Sequence, residues 1–399
     1  MKPIIIIGAG LAGYTLAREL RKLDKVTPLT IITADDGGFY SKPMLSNAFA
    51  QKKQPAQLVT QSAEQMAAQL NANIITSTTV SEIDPVGRVL NTGAGQFEYG
   101  KLVIAVGAQP IRLPIAGNAA DQVLSVNHVA DYAVFRDKLE LPRAGQPARI
   151  AILGAGLIGC EFADDLAGAG HAVTLIDPNP LPLAALAAPA LSLGLQAALI
   201  GRGVALRLGT TAVRIDRGEN GLAIALADES RFETDIVLSA IGLRPHLTLA
   251  QAAQLNVGRG IVVDVFGQTS AADIFALGDC AEYTLDGGGT RIMPYIAPLM
   301  TAARAIARTL SGELTPIDLK PAPVIVKTPS YPLALLPPQA GGSGKWQATL
   351  ENERTVCRFY DQAGVMVGFG VSPHEAGVRQ QLVAGLGLAL TVKTEDVAA

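Results

Sequence analysis

Residues 4–13 read IIIIGAGLAG, and residues 150–159 read IAILGAGLIG. Each is a short apolar run that meets the pattern G-A-G-L-x-G. Such a run ahead of clustered glycines predicts a buried strand and a tight turn. What comes next predicts a helix in both places, LAGYTLARELRKL over 11–23 and LIGCEFADDLAGA over 157–169. A further strand then follows each helix, LTIIT at 29–33 and AVTLID at 172–177. The chain therefore repeats a β-α-β unit with a glycine fingerprint at its first turn. This predicts an α/β fold with two Rossmann-like dinucleotide-binding domains.

The fingerprint has a local physical logic. Gly8 and Gly154 permit the sharp turn out of the strand. Gly10 and Gly156 let a pyrophosphate approach the backbone, and Gly13 and Gly159 let helix and strand pack closely. The helix start then offers free N–H groups and a positive dipole end to phosphates. In the second unit Asp177 closes VTLID. A carboxylate there bonds adenosine ribose hydroxyls and repels a 2′-phosphate, so NADH is expected over NADPH. In the first unit the matching stretch is IITADD, where Thr33 and Ala34 stand near the usual acid position. Which group holds that first ribose stays open.

Composition narrows the function classes. The 399 residues carry 32 Lys plus Arg against 35 Asp plus Glu, a net charge of −3. No basic excess speaks for nucleic acid. Hydrophobic residues make up 49%, enough for large cores and against disorder. The three cysteines, Cys160, Cys280 and Cys357, form no Cys-x-x-Cys pair, and the four histidines lie far apart, so no metal site is expected. Residues 178–201 hold no charge but contain Pro178, Pro180, Pro182 and Pro189. That reads as a buried loop and helix, not a membrane span. The MKPIIIIGAG start lacks the apolar length of a signal peptide. A cytoplasmic protein without membrane insertion is expected.

Further segments join the units. LVIAVGAQP at 102–110 and VLSAIGLRP at 237–245 each read as strand, glycine turn and proline. TSAADIFALGD at 269–279 reads as turn, strand and then Asp279, with a helix from about Ile296. The last 80 residues change style. PVIVKTPSYPLALLPP, KWQATLE, TVCRFYD and VMVGFGV predict short strands, and HEAGVRQQLVAGLGLAL predicts a helix. Residues 320–390 thus read as a small α+β domain, with 391–399 a frayed tail.

In order, GAGLAG, AVGAQP, GAGLIG with Asp177, and TSAADIFALGDCAE resemble the FAD-dependent pyridine nucleotide oxidoreductases of glutathione-reductase-like fold. The resemblance covers essentially the whole chain. It implies an FAD-binding domain of residues 1–114 and 243–319 and an inserted NAD-binding domain of residues 115–242. Disulfide reductases of this kind carry a cysteine pair that this chain lacks, so electrons are expected to pass from flavin straight to an outside acceptor. FYSKPMLS at 39–46 resembles the lysine-bearing loop of rubredoxin reductases. Reductases for dioxygenase ferredoxins read more like PYDRPPLSK. Flavorubredoxin reductases of nitric oxide detoxification are closely similar. The implied function is NADH:rubredoxin oxidoreductase, with FAD taking a hydride from NADH and releasing single electrons to rubredoxin.

The resemblance also implies residue roles. Gly8, Ala9, Gly10, Leu11, Ala12 and Gly13 should face the FAD pyrophosphate, and Thr33 and Ala34 the adenosine ribose. Val80 should lie by the adenine and hold it through backbone groups. Asp279 should reach the ribityl or pyrophosphate, and Ile296 opens a helix facing the flavin pyrimidine. Gly154, Gly156, Gly159 and Asp177 should hold NADH. Lys42 and Glu161 are expected as a catalytic pair beside flavin N5, with Lys327 near the ring. Rival readings are a ferredoxin reductase, an NADH oxidase or coenzyme-A disulfide reductase (which would need a cysteine near residue 42), and a non-enzymatic flavin-binding signalling protein.

Overall fold

The computed structural model describes residues 2–141, 146–285, 288–339 and 341–389. The expected tail at 391–399 lies outside the described residues, as does the last residue of the expected C-terminal domain. The Ile4–Ile7 strand pairs in parallel with Leu29–Ile32 and with Lys101–Ile104. Ile274–Ala276 and Asn73–Ile75 complete a five-stranded parallel sheet. All four isoleucines of the first strand are buried, as a sheet covered on both faces requires. The Leu11–Leu23 and Ile296–Leu310 helices pack against one another over that sheet. Arg21 and Lys22 end the first of them, where cations complement the dipole.

The second unit repeats the plan. Ala205–Leu208, Ala172–Asp177, Arg149–Leu153 and Ile236–Ser239 form a parallel sheet in that order. The Leu157–Gly168 helix follows its first glycine turn. Each unit adds a three-stranded antiparallel meander, Val80–Asp84, Val89–Thr92 and Gly95–Glu98 in one, Ala212–Gly218, Gly221–Leu226 and Arg231–Thr234 in the other. The uncharged stretch after Asp177 becomes a loop and the Pro189–Gly201 helix, with Pro189 at its first position. Among the described residues no helix is long and apolar enough to cross a membrane.

One antiparallel ribbon joins the units. Ala108–Pro110 pairs with Leu243–Pro245, and Pro110 faces Leu243 directly. Bridges of Ala116 to Arg214 and Leu124 to Leu238 tie the segment after the ribbon to the second unit. The C-terminal part is a five-stranded antiparallel sheet in the order Val324–Val326, Leu333–Leu336, Met366–Ser372, Arg354–Asp361, Gly344–Glu351. Its helix runs only from Ala376 to Ala384. That is shorter than the sequence pattern suggested, because Gly385 and Gly387 follow, the latter at φ +81°.

Candidate functional site

The two glycine turns meet the rest of the chain in the same way. Gly8 sits at φ +110°, and a Cβ there would lie 2.4 Å from the Ala105 carbonyl oxygen. Gly154 sits at φ +101°, and its Cβ would lie 2.8 Å from the Ala240 carbonyl oxygen. One turn into each helix, a Cβ on Gly13 would fall 2.0 Å from the Gly8 carbonyl oxygen, and on Gly159 1.8 Å from that of Gly154. These glycines are packing contacts. Gly10 and Gly156 differ: nothing lies within 4 Å of a Cβ on either. Both are N-caps, so no side chain caps the first helical N–H groups and the space beside each cap is open. A dinucleotide pyrophosphate fits that chemistry: donors, a dipole end and room for close approach.

Asp177 is 9% exposed at the end of its strand. Its Oδ2 accepts from the Ala155 N–H at 2.7 Å, and its Oδ1 from the Asn179 N–H and side-chain amide, both at 2.8 Å. The carboxylate therefore fixes the glycine turn while retaining lone pairs for further donors. In the first unit Thr33 is buried and donates to Asp35 Oδ1 at 2.6 Å, and Ala34 is exposed. Val80 opens its strand with a buried side chain that belongs to the core.

Asp279 is delivered to the first glycine turn by close packing. Gly278 lies at φ +80°, and a Cβ on it would come 2.9 Å from the Cβ of Ala12. The Gly278 N–H is held by the Tyr283 hydroxyl at 3.0 Å. Burial raises the Asp279 carboxyl, and the Lys42 cation opposes the rise. The reverse holds at Lys42, where burial lowers the ammonium and Asp279 and then Asp131 oppose it. The two therefore act on each other electrostatically, each from a poorly solvated position. Ile296 begins its helix 48% exposed, after Tyr295, with no side-chain cap on the helix start.

Glu161 does not close on Lys42 in an ion pair as expected. It is 3% exposed, and its carboxylate pairs with the Lys327 Nζ and accepts from the Ser46 hydroxyl. Its Oε1 also accepts from the Lys327 backbone N–H at 2.9 Å. The physical reason is reach: Lys327 lies directly against this helix and supplies both a charge and an N–H. Sequence reasoning missed two neighbours of Glu161. Asp164 pairs with Arg202 at 3.0 Å and accepts from the Ser330 N–H at 3.2 Å. Asp165 accepts from the Phe49 and Ala50 N–H groups at 3.0 and 2.7 Å. Residues 161, 164 and 165 share one helix face, a spacing visible in GCEFADDL. All three acids are buried, and each grips a segment from outside the second sheet.

The three cysteines form no disulfide. All three are buried, and burial pushes Cys280 up to about 12 and Cys357 up to about 11. Such thiols are poor nucleophiles.

Residues 2–307 match the family described as pyridine nucleotide-disulphide oxidoreductase, and residues 316–386 match the rubredoxin binding C-terminal domain. The rubredoxin-NAD(+) reductase of Alcanivorax borkumensis is 41% identical over 377 residues, 93% of this chain and 95% of that one. That of Acinetobacter baylyi is 42% identical over 94% of this chain and 95% of its own. The nitric oxide reductase FlRd-NAD(+) reductase of Aeromonas hydrophila is 40% identical over 93% and 92%. Among solved structures, the ferredoxin reductase for the CYP199A2 system of Rhodopseudomonas palustris has a TM-score of 0.87 at 25% identity, covering 98% of this chain and 96% of that one. Putidaredoxin reductase in its covalent complex with putidaredoxin shares the fold, with a TM-score of 0.86 at 24% identity over 97% and 94%.

Proposed function

The chain belongs to the pyridine nucleotide-disulphide oxidoreductase family, and from that premise we propose that it is an FAD-dependent NADH:rubredoxin oxidoreductase. FAD when bound would supply the step between nicotinamide chemistry, which moves electrons in pairs, and an iron centre that takes them singly. The observation that carries the reading is the pair of open glycine positions, Gly10 and Gly156, at two uncapped helix starts.

The protein's share is binding, orientation and electrostatics. Gly8 to Gly13 hold one pyrophosphate through N–H groups, and Asp279 takes an adjoining hydroxyl. Gly154 to Gly159 hold the other. Asp177 orients their turn through Ala155 and sets the preference for NADH. The Ile296 helix start offers positive potential to negative charge on an electron-rich ring. Lys42 adds a cation, balanced by Asp279. Glu161 keeps the Lys42-bearing segment and Lys327 in place through Ser46 and its ion pair. With no mobile thiol pair, electrons leave without a cysteine relay. The chain's home in this reading is the cytoplasm, where three unpaired thiols stay reduced.

The test is a comparison of acceptors. Purified chain is expected to carry one FAD and to reduce rubredoxin with NADH far faster than with NADPH. Flavorubredoxin and a [2Fe–2S] ferredoxin are the competing arms. A higher kcat/KM for ferredoxin would overturn the assignment of acceptor. Absence of flavin would overturn the whole reading.

A further inference from the structure

The segment that carries Lys42 is a short 3-10 turn, Lys42–Asn47, followed by a loop. Such a turn has little hold of its own. Its far end is held from the second unit. The Asp165 carboxylate, 4% exposed, accepts from two successive backbone N–H groups, Phe49 at 3.0 Å and Ala50 at 2.7 Å. Arg136 lies over the Phe49 ring at 4.2 Å, and its guanidinium also donates to the Gln54 side chain at 3.3 Å. The near end is held by Glu161 through Ser46. Asp165 is thus one of two carboxylates on a single helix that pin this loop, and the nucleotide-facing glycines open that same helix.

We propose that Asp165 is the positioning residue of the Lys42-bearing loop: as a carboxylate it latches residues 49 and 50, and as a carboxylic acid it lets them go. A carboxylate offers acceptors to both N–H groups. A protonated carboxyl turns one oxygen into a hydroxyl, a donor and only a weak acceptor for the N–H it faces, and the charge that strengthened both bonds is gone. The release is local, and the chemistry is a single proton taken from water and returned to it.

The surroundings decide whether that proton arrives near neutrality. Burial pushes the Asp165 carboxyl up to about 6, against the two N–H bonds that favour the anion; Asp164 raises it further and Arg136 lowers it. The other groups facing the latch are Tyr132 and His171, both ring-on-edge to Phe49 at 6.2 and 5.9 Å. A raised acid gives up folding stability as pH rises, because the folded chain holds the proton more tightly than the unfolded one. Loop release on acidification therefore runs opposite to that residue's share of overall stability, which separates a latch from a simple prop.

The proposal rests on the flavin reading for its consequence but not for its first test. Hydrogen exchange of the peptide spanning residues 46–52 in the holoenzyme, corrected for intrinsic rates, reads the latch directly. Between about pH 8 and pH 5, protection is expected to fall about tenfold, the worth of one charge-assisted hydrogen bond, with its midpoint near the carboxyl's value of about 6. Asp165→Asn should lack that protection at every pH, and His171→Gln should keep the wild-type midpoint. The rate of flavin bleaching by NADH should follow the same curve in wild type and go flat in Asp165→Asn. Protection in the wild type that does not change with pH, or an inflection that survives in Asp165→Asn, overturns the proposal. The wild-type series decides alone should the variant not fold.

Discussion

Gly156 and Gly159 stand three residues apart and should fail in different ways. A methyl on Gly159 would fall 1.8 Å from the Gly154 carbonyl oxygen, where ordinary contact needs about 3.4 Å. Helix and turn must part by roughly 1.6 Å, inside a core packed to crystal density. Overpacking of that kind costs about 1–3 kcal/mol. Gly159→Ala is therefore expected to lower the melting temperature by several degrees. Gly156 has φ −77° and ψ −169°, a conformation open to any residue. A Cβ there meets nothing within 4 Å. Alanine is a poorer N-cap than glycine, at a cost of roughly 0.5–1 kcal/mol to the helix. Gly156→Ala should thus lower the melting temperature less than Gly159→Ala does. The methyl would instead occupy the path of the pyrophosphate and block donation from the helix start. NADH dissociation constants, measured by anaerobic calorimetry on protein whose flavin is already reduced, should rise at least about tenfold, equal to some 1.4 kcal/mol. An unchanged NADH affinity in Gly156→Ala would refute the placement of the pyrophosphate, whatever Gly159→Ala does.

Other outcomes follow from the same geometry. Asp177→Ala should narrow the NADH over NADPH ratio of kcat/KM, and should also weaken NADH itself, since the Ala155 N–H loses its acceptor; an unaltered ratio refutes its role in choosing the nucleotide. For Glu161→Gln, Lys327→Met and their double variant, flavin midpoint potentials should show coupling of about 1 kcal/mol or more, as contacting charges do; strict additivity would mean the pair is not energetically joined. A Cys160→Ala, Cys280→Ala, Cys357→Ala triple variant should keep its rate of acceptor reduction if it folds, because all three thiols are buried and none is in a disulfide; loss of turnover with FAD still bound would contradict a route free of thiols.

Much of the architecture could be read from local patterns. The Leu11–Leu23 helix follows the glycine fingerprint with the expected bounds, and the second helix ends one residue early at Gly168. Both cases are legible because tight turn, helix start and buried strand are set within some 20 residues of sequence. Long-range pairing was less legible. The sequence places Lys42 and Glu161 in segments that belong near one another, yet the ion pair forms with Lys327, 166 positions away. Only the packed position of the C-terminal sheet decides which lysine reaches that carboxylate. The buried acids Asp164 and Asp165 were visible as residues but not as clasps, because their partners, the Arg202 guanidinium apart, are backbone N–H groups that any sequence would supply. The shortened final helix shows the limit of apolar periodicity when glycines interrupt it.

The ribbon in which Pro110 faces Leu243 has a consequence for how such a chain could arise and be rebuilt. Antiparallel partners stand about 5 Å apart. The two ends of everything between them are therefore close enough to be joined by a tight turn. A gene for the flanking parts, with residues 111–242 replaced by a two-residue hairpin linker, should still encode the five-stranded parallel sheet, since each of its strands lies outside the excised stretch. Conversely, a different nucleotide module spliced between the same two ends, Pro110 and Leu243, would meet a host whose strands need not move to admit it. The architecture is a cassette with one port, and its evolution could proceed by exchange of whole modules as readily as by point substitution.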